Sequence, residues 1–134
     1  MKNKTLFYSS VVSLLIHLWL FSWVSTFPHP WLHYTCVGTS IWNHGFTSEI
    51  AKWTDRAMMT TCVGHNLYWL SMYNHHIASW VGMILTVNGV SFYFVSKIVK
   101  KQFKIMFHFI SHVCATCSNV LLGVIVMATT TSCH

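Results

Sequence analysis

All ten formal charges of this 134-residue chain fall in three short clusters, with long uncharged stretches between them. Lys2 and Lys4 precede the first apolar run, Glu49, Lys52, Asp55 and Arg56 lie together, and Lys97, Lys100, Lys101 and Lys104 form the third cluster. Only 7% of the chain is charged, against about 25% in an ordinary soluble domain, while 54% is hydrophobic. Ten charges cannot cover a water-facing surface on a chain this apolar. The class that remains is an all-α, polytopic transmembrane helix bundle, one domain over residues 1–134.

The apolar runs and their breaks place about five spans, near residues 6–24, 29–46, 50–73, 77–96 and 104–128. The first, after MKNK, reads as a retained membrane anchor rather than a cleaved leader. Its one oddity, His17, reads as hydrogen-bonded to a neighbouring helix. Phe27-Pro-His-Pro ends that run, because proline removes a donor and restricts the residue before it. The second segment is short and polar (His33, Thr35, Thr39, Ser40, Asn43, His44), so much of it must face protein or a water-filled cavity. Glu49 falls in the first turn of the third helix, where a carboxylate suits the positive end of the dipole. His75 and His76 read as turn residues, and Asn88 and Gly89 as helix-contact positions in the fourth span.

With the amino terminus inside, five spans put every basic residue on one side of the membrane, as the positive-inside rule requires. The basic surplus therefore speaks for topology and anionic headgroups, and against nucleic acid as a partner. The five cysteines give no disulfide framework and no zinc-finger spacing, and Cys114-x-x-Cys117 reads as small residues at a helix contact.

One constellation points to chemistry. Ser40 and His44 lie one turn apart on a helix, Asp55 belongs to the next helix, and His108 and His112 share a face of the last. The topology brings His44, Asp55, His108 and His112 to one level, within roughly 5–12 Å of the basic connections. Three neutral imidazoles are a sufficient protein set for catalytic Zn²⁺, with a fourth position open to water. His44, His108 and His112 would be the ligands, Asp55 the base or orienter of a water, and Ser40 the donor to an oxyanion.

The ordered set S-x-x-x-H, an aspartate eleven residues on, and H-x-x-x-H in the last span resembles the signature of the alkaline ceramidase and adiponectin-receptor superfamily. The resemblance implies an integral-membrane, zinc-dependent hydrolase of lipid amides or esters, with zinc on the three histidines, a catalytic water assisted by Asp55, and Ser40 at the substrate carbonyl. Membrane lipid would be both substrate and solvent. That family has seven spans where five are read here, and only about fifty residues separate Asp55 from His108. A rival expectation is a small, non-enzymatic subunit of a larger membrane assembly, its histidines and aspartate serving helix packing. A third is haem held by His17 or His33 facing His65 or His112.

Overall fold

The computed structural model describes residues 3–132, which form five α-helices and no strand. These are α1 (Lys4–Trp23), α2 (Pro30–Gly45), α3 (Glu49–Met72), α4 (Ile77–Ile98) and α5 (Lys101–Thr131). Local chemistry fixes the starts. The Asn3 side chain accepts from the Leu6 amide at 3.0 Å and caps α1. Ser48 does the same for α3 through the Ala51 amide, and Glu49 in that first turn pairs with Lys52 at 2.9 Å. Helix α2 opens on Pro30 directly after His29, which is left-handed at φ 50°. That kink turns the chain back after α1.

Cross-helix pairs give the directions. Ser9–His112 and Ser13–Thr116 keep a constant offset of 103 residues, so α1 and α5 run parallel. Asn43–Asp55 and His33–His65 set α2 antiparallel to α3, and Phe92–Phe107 with Ser118 on Gly82 sets α4 antiparallel to α5. The helices thus alternate up and down, and α5 packs on α1, α3 and α4. Close approach depends on small residues. A Cβ on Gly89 would stand 3.3 Å from the Cys114 Cβ, and one on Gly123 would stand 2.9 Å from Leu20.

Three helices, α1, α4 and α5, are long and apolar enough to cross a membrane. Helix α2 has 16 residues, or about 24 Å of rise against a hydrocarbon core of about 30 Å. Helix α3 carries Glu49, Lys52, Asp55 and Arg56 in its first two turns. Large apolar side chains such as Val12, Leu15, Ile84 and Val87 are exposed on the outer faces, which is what a lipid-facing surface requires.

Two expectations are revised. The basic connection is not a loop over residues 97–104, because α4 continues to Ile98 and α5 starts at Lys101. Lysine is a good helix former, and its long stem carries the charge to the interface without breaking the helix. Gly89 is buried against α5 as expected, but Asn88, about 100° around α4 from it, is exposed.

The interior is divided. At one end Leu20, Val24, Phe27, Leu70, Leu122, Ile125 and Val126 form an apolar core. Toward the other end the buried side chains are polar, among them Ser10, Ser13, His17, Asn43, His44, Asn66, His108 and Ser111. That polar end also holds every basic residue in the described part of the chain; Lys2 lies outside it, as does Cys133.

Candidate metal centre

His44 sits in the last turn of α2, and His108 and His112 lie in the first half of α5. The Asn3 amide, donating to the His44 carbonyl at 3.2 Å, ties the end of α2 to the start of α1. The three rings meet, with centroids 5.1 Å (His44–His108), 5.4 Å (His44–His112) and 5.0 Å (His108–His112) apart. One ring nitrogen from each lies within 4.8 Å of the other two, the only such grouping of histidine, cysteine or carboxylate ligands among the described residues. His44 and His108 are buried and His112 is partly exposed.

The donor set suits a metal ion. Three imidazoles with no competing ammonium among them match the three-ligand sets of catalytic zinc. The surroundings of His112 fix its tautomer. The Ser9 hydroxyl donates its single proton to the Leu6 carbonyl at 2.8 Å. At 3.1 Å it can therefore only accept from His112 Nδ1–H, which leaves Nε2 with the lone pair. A ligating histidine is normally held this way by its other nitrogen. Over His108 stands Tyr93, ring edge to ring at 5.3 Å, with the Lys97 ammonium 4.3 Å from the Tyr93 ring centre.

Asp55 and Ser40 face the same interior. Asp55 Oδ2 accepts from Asn43 Nδ2 at 2.7 Å. Ser40 lines the same cavity, and its hydroxyl lies 3.3 Å from that of Ser10. Ser40, Asp55, His108 and His112 together line an internal cavity of about 110 Å³, room for several waters at roughly 10–15 Å³ each. His44 completes the trio without lining this cavity.

The far end of the cavity holds a different histidine. His17 Nδ1–H donates to the Ser13 carbonyl at 2.7 Å, so its Nε2 accepts from Asn119 Nδ2 at 2.8 Å. Asn119 Oδ1 in turn accepts from Asn66 Nδ2. His17 is thereby bonded to its own helix and to α5. Its neighbour His33, whose ring centre is 5.9 Å away, keeps Nε2 buried without a hydrogen-bond partner.

All five site residues singled out in the sequence therefore lie at the basic end of the bundle, three as a converging trio and two on the cavity beside it. Sequence reasoning missed Ser9, Asn43, Tyr93 and Lys97. Ser9 had a signal: Ser9, Ser13 and His17 recur every four residues along α1, which marks a polar inward stripe on an apolar helix. Lys97 gave none, since its charge read as loop. Fold and site together define a five-helix bundle with membrane-length helices and a histidine trio able to hold a metal ion. Comparison with protein-family models, with curated proteins and with solved structures finds no match to this chain.

Proposed function

We propose that this chain is a multi-pass membrane protein of five spans, amino terminus inside, that binds zinc on His44, His108 and His112 and hydrolyses a lipid amide or ester. The observation that carries the reading is the convergence of those three imidazoles, from two helices, beside a cavity that also presents a carboxylate and a hydroxyl. The order and spacing of the five residues, which resemble the ceramidase-like signature, add the substrate class.

Zinc bound there would polarise a carbonyl oxygen and acidify water to a pKa of about 7. Asp55, oriented by Asn43, is the group in this cavity that can take the proton of an attacking water. Ser40, which lines the same cavity, would donate its hydroxyl to the carbonyl oxygen as negative charge builds. The proton held on Asp55 then goes to the leaving amine or alcohol, so water is consumed and an acid and a neutral leaving group are released.

The test is fatty-acid release from an N-acyl sphingosine by the purified protein in phosphatidylcholine vesicles, with zinc measured on the same sample. Turnover should accompany about one zinc per chain. Asp55→Asn should keep the zinc and lower kcat by about 10²–10⁴-fold, the usual contribution of a positioned general base. A folded sample that holds no metal overturns the reading.

Asn88 favours a second reading. It puts an amide, two donors and an acceptor, on the outer face of a membrane-length helix, where lipid satisfies none of them. A subunit packed against a neighbouring helix in a larger assembly would satisfy it. Site-specific crosslinking from position 88 to a protein rather than to lipid, in a sample without zinc, would make this the better account.

A further inference from the structure

Building on the hydrolase reading, we infer that the groove between α1 and α5 on the outer face of the bundle is the seat of the substrate's acyl chain, and that the lipid enters sideways from the bilayer past His112.

His112 is the one member of the trio that is not buried. It lines a groove of about 530 Å³ whose sides are Tyr8, Val12 and Ile16 of α1 and Phe109 and Val113 of α5. Both helices are membrane-length, so this groove opens on hydrocarbon rather than water. Along α1 it runs from Thr5 to Ile16, about 17 Å of helix, close to the roughly 15 Å hydrocarbon depth of one leaflet. An apolar slot of that depth on a lipid-facing surface suits one acyl chain.

The groove adjoins the cavity. Ser13, His112 and Thr116 line both. Two cross-helix hydrogen bonds, Ser9–His112 at 3.1 Å and Ser13–Thr116 at 2.8 Å, form the wall between them. A chain lying in the groove would bring its polar linkage to that wall, where hydroxyls can exchange their cross-helix bonds for bonds to an amide or ester. Behind the wall stand Asp55 and Ser40. The polar floor and apolar sides thus follow the substrate's own division into linkage and tail.

A ceramide with a photoactivatable diazirine in mid-acyl chain, incorporated in phosphatidylcholine vesicles with the intact protein, tests this without turnover. Mass spectrometry of the labelled peptides should find the label concentrated on α1 and α5 around Val12 and Val113. Val12→Trp with Val113→Trp, both at exposed positions, should cut that labelling about tenfold. Ile84→Trp, on the outer face of α4, should leave it unchanged, and circular dichroism checks that each variant is folded. Excess unlabelled ceramide should compete, and excess phosphatidylcholine should not. Label spread evenly over all outer faces overturns the proposal, as does labelling indifferent to the groove-filling pair or competed equally by phosphatidylcholine, which is ordinary lipid contact. Zinc and turnover in the wild type separate the two proposals. Their absence with focused labelling intact sinks the hydrolase and keeps the groove, whereas zinc and turnover without focused labelling does the reverse.

Discussion

The two ends of the internal cavity use the same side chain in opposite ways. At one end His17 sends its two nitrogens apart, one to the Ser13 carbonyl and one to Asn119, whose own oxygen is taken by Asn66. At the other end His44, His108 and His112 each turn a nitrogen toward the same small volume. Divergent nitrogens make a buried histidine a fastener between helices, because each polar atom is satisfied and the ring fixes a register. Convergent nitrogens could hold a metal ion, since a cation placed among them would be stabilised by their lone pairs. Burial does not separate the two cases, for His17, His44 and His108 are all buried. The direction of the nitrogens does.

Replacing histidines at either end should break the comparison into two phenotypes. His108→Ala with His112→Ala should take bound zinc from about one per chain to below a tenth, read by elemental analysis of the detergent-purified protein. His17→Ala should leave that stoichiometry untouched. Zinc binding should also depend on pH with a definite sign. Each ligand binds as the neutral imidazole, so protons compete with the metal, and affinity should weaken as pH falls. An affinity that rises as pH falls would exclude three histidine ligands.

The His17 end answers in stability. Truncation removes one cross-helix bond and leaves Asn119, bonded on its other side to Asn66, with an unpaired buried donor. A cost of about 2 kcal/mol is expected from the orphaned group and the lost bond, seen as a lowered unfolding midpoint in detergent. His17→Gln, which keeps a donor and an acceptor, should recover part of it. If His17→Ala instead lowers zinc content at unchanged stability, the division between fastener and ligand is wrong.

The trio was legible in the sequence because its chemistry is carried by residue type and spacing: two i,i+4 pairs, Ser40/His44 and His108/His112, and one carboxylate in a chain that has only two. The helix order was legible from the charge clusters, since each marks a chain end at the same level. What the sequence hid was what each hydroxyl and amide does. Ser40 reads as an oxyanion donor by position, and it does line the cavity, but no pattern shows that Ser10 of α1 packs 3.3 Å from its hydroxyl. Asn43 looks like one more polar residue of α2 until α3 packs antiparallel and brings Asp55 to 2.7 Å. Asn88 and Gly89 are adjacent and read alike, but a helix turns about 100° per residue, so one faces α5 and the other faces outward.

Ser9 gives the smallest and sharpest test, because it borrows the fastener's chemistry for the ligand's purpose. Its hydroxyl is bound to the Leu6 carbonyl and so can only accept from His112, as the Ser13 carbonyl does from His17. In both places an acceptor on α1 holds Nδ1–H and frees Nε2. At His17 the freed nitrogen meets an amide donor, whereas the ring of His112 packs against those of His44 and His108. Ser9→Ala removes the acceptor without touching a ligand, so zinc should still bind, but more weakly. Loss of such a partner typically costs 10- to 100-fold in metal affinity. Ser9 is only partly buried, where water can take its place, so about tenfold is expected, measured by competition with a chelator of known affinity. Ser9→Thr keeps the hydroxyl and should restore affinity to near wild type. Equal affinity in all three proteins would mean that His112 needs no orientation from α1, and the tautomer argument for the trio would fall with it.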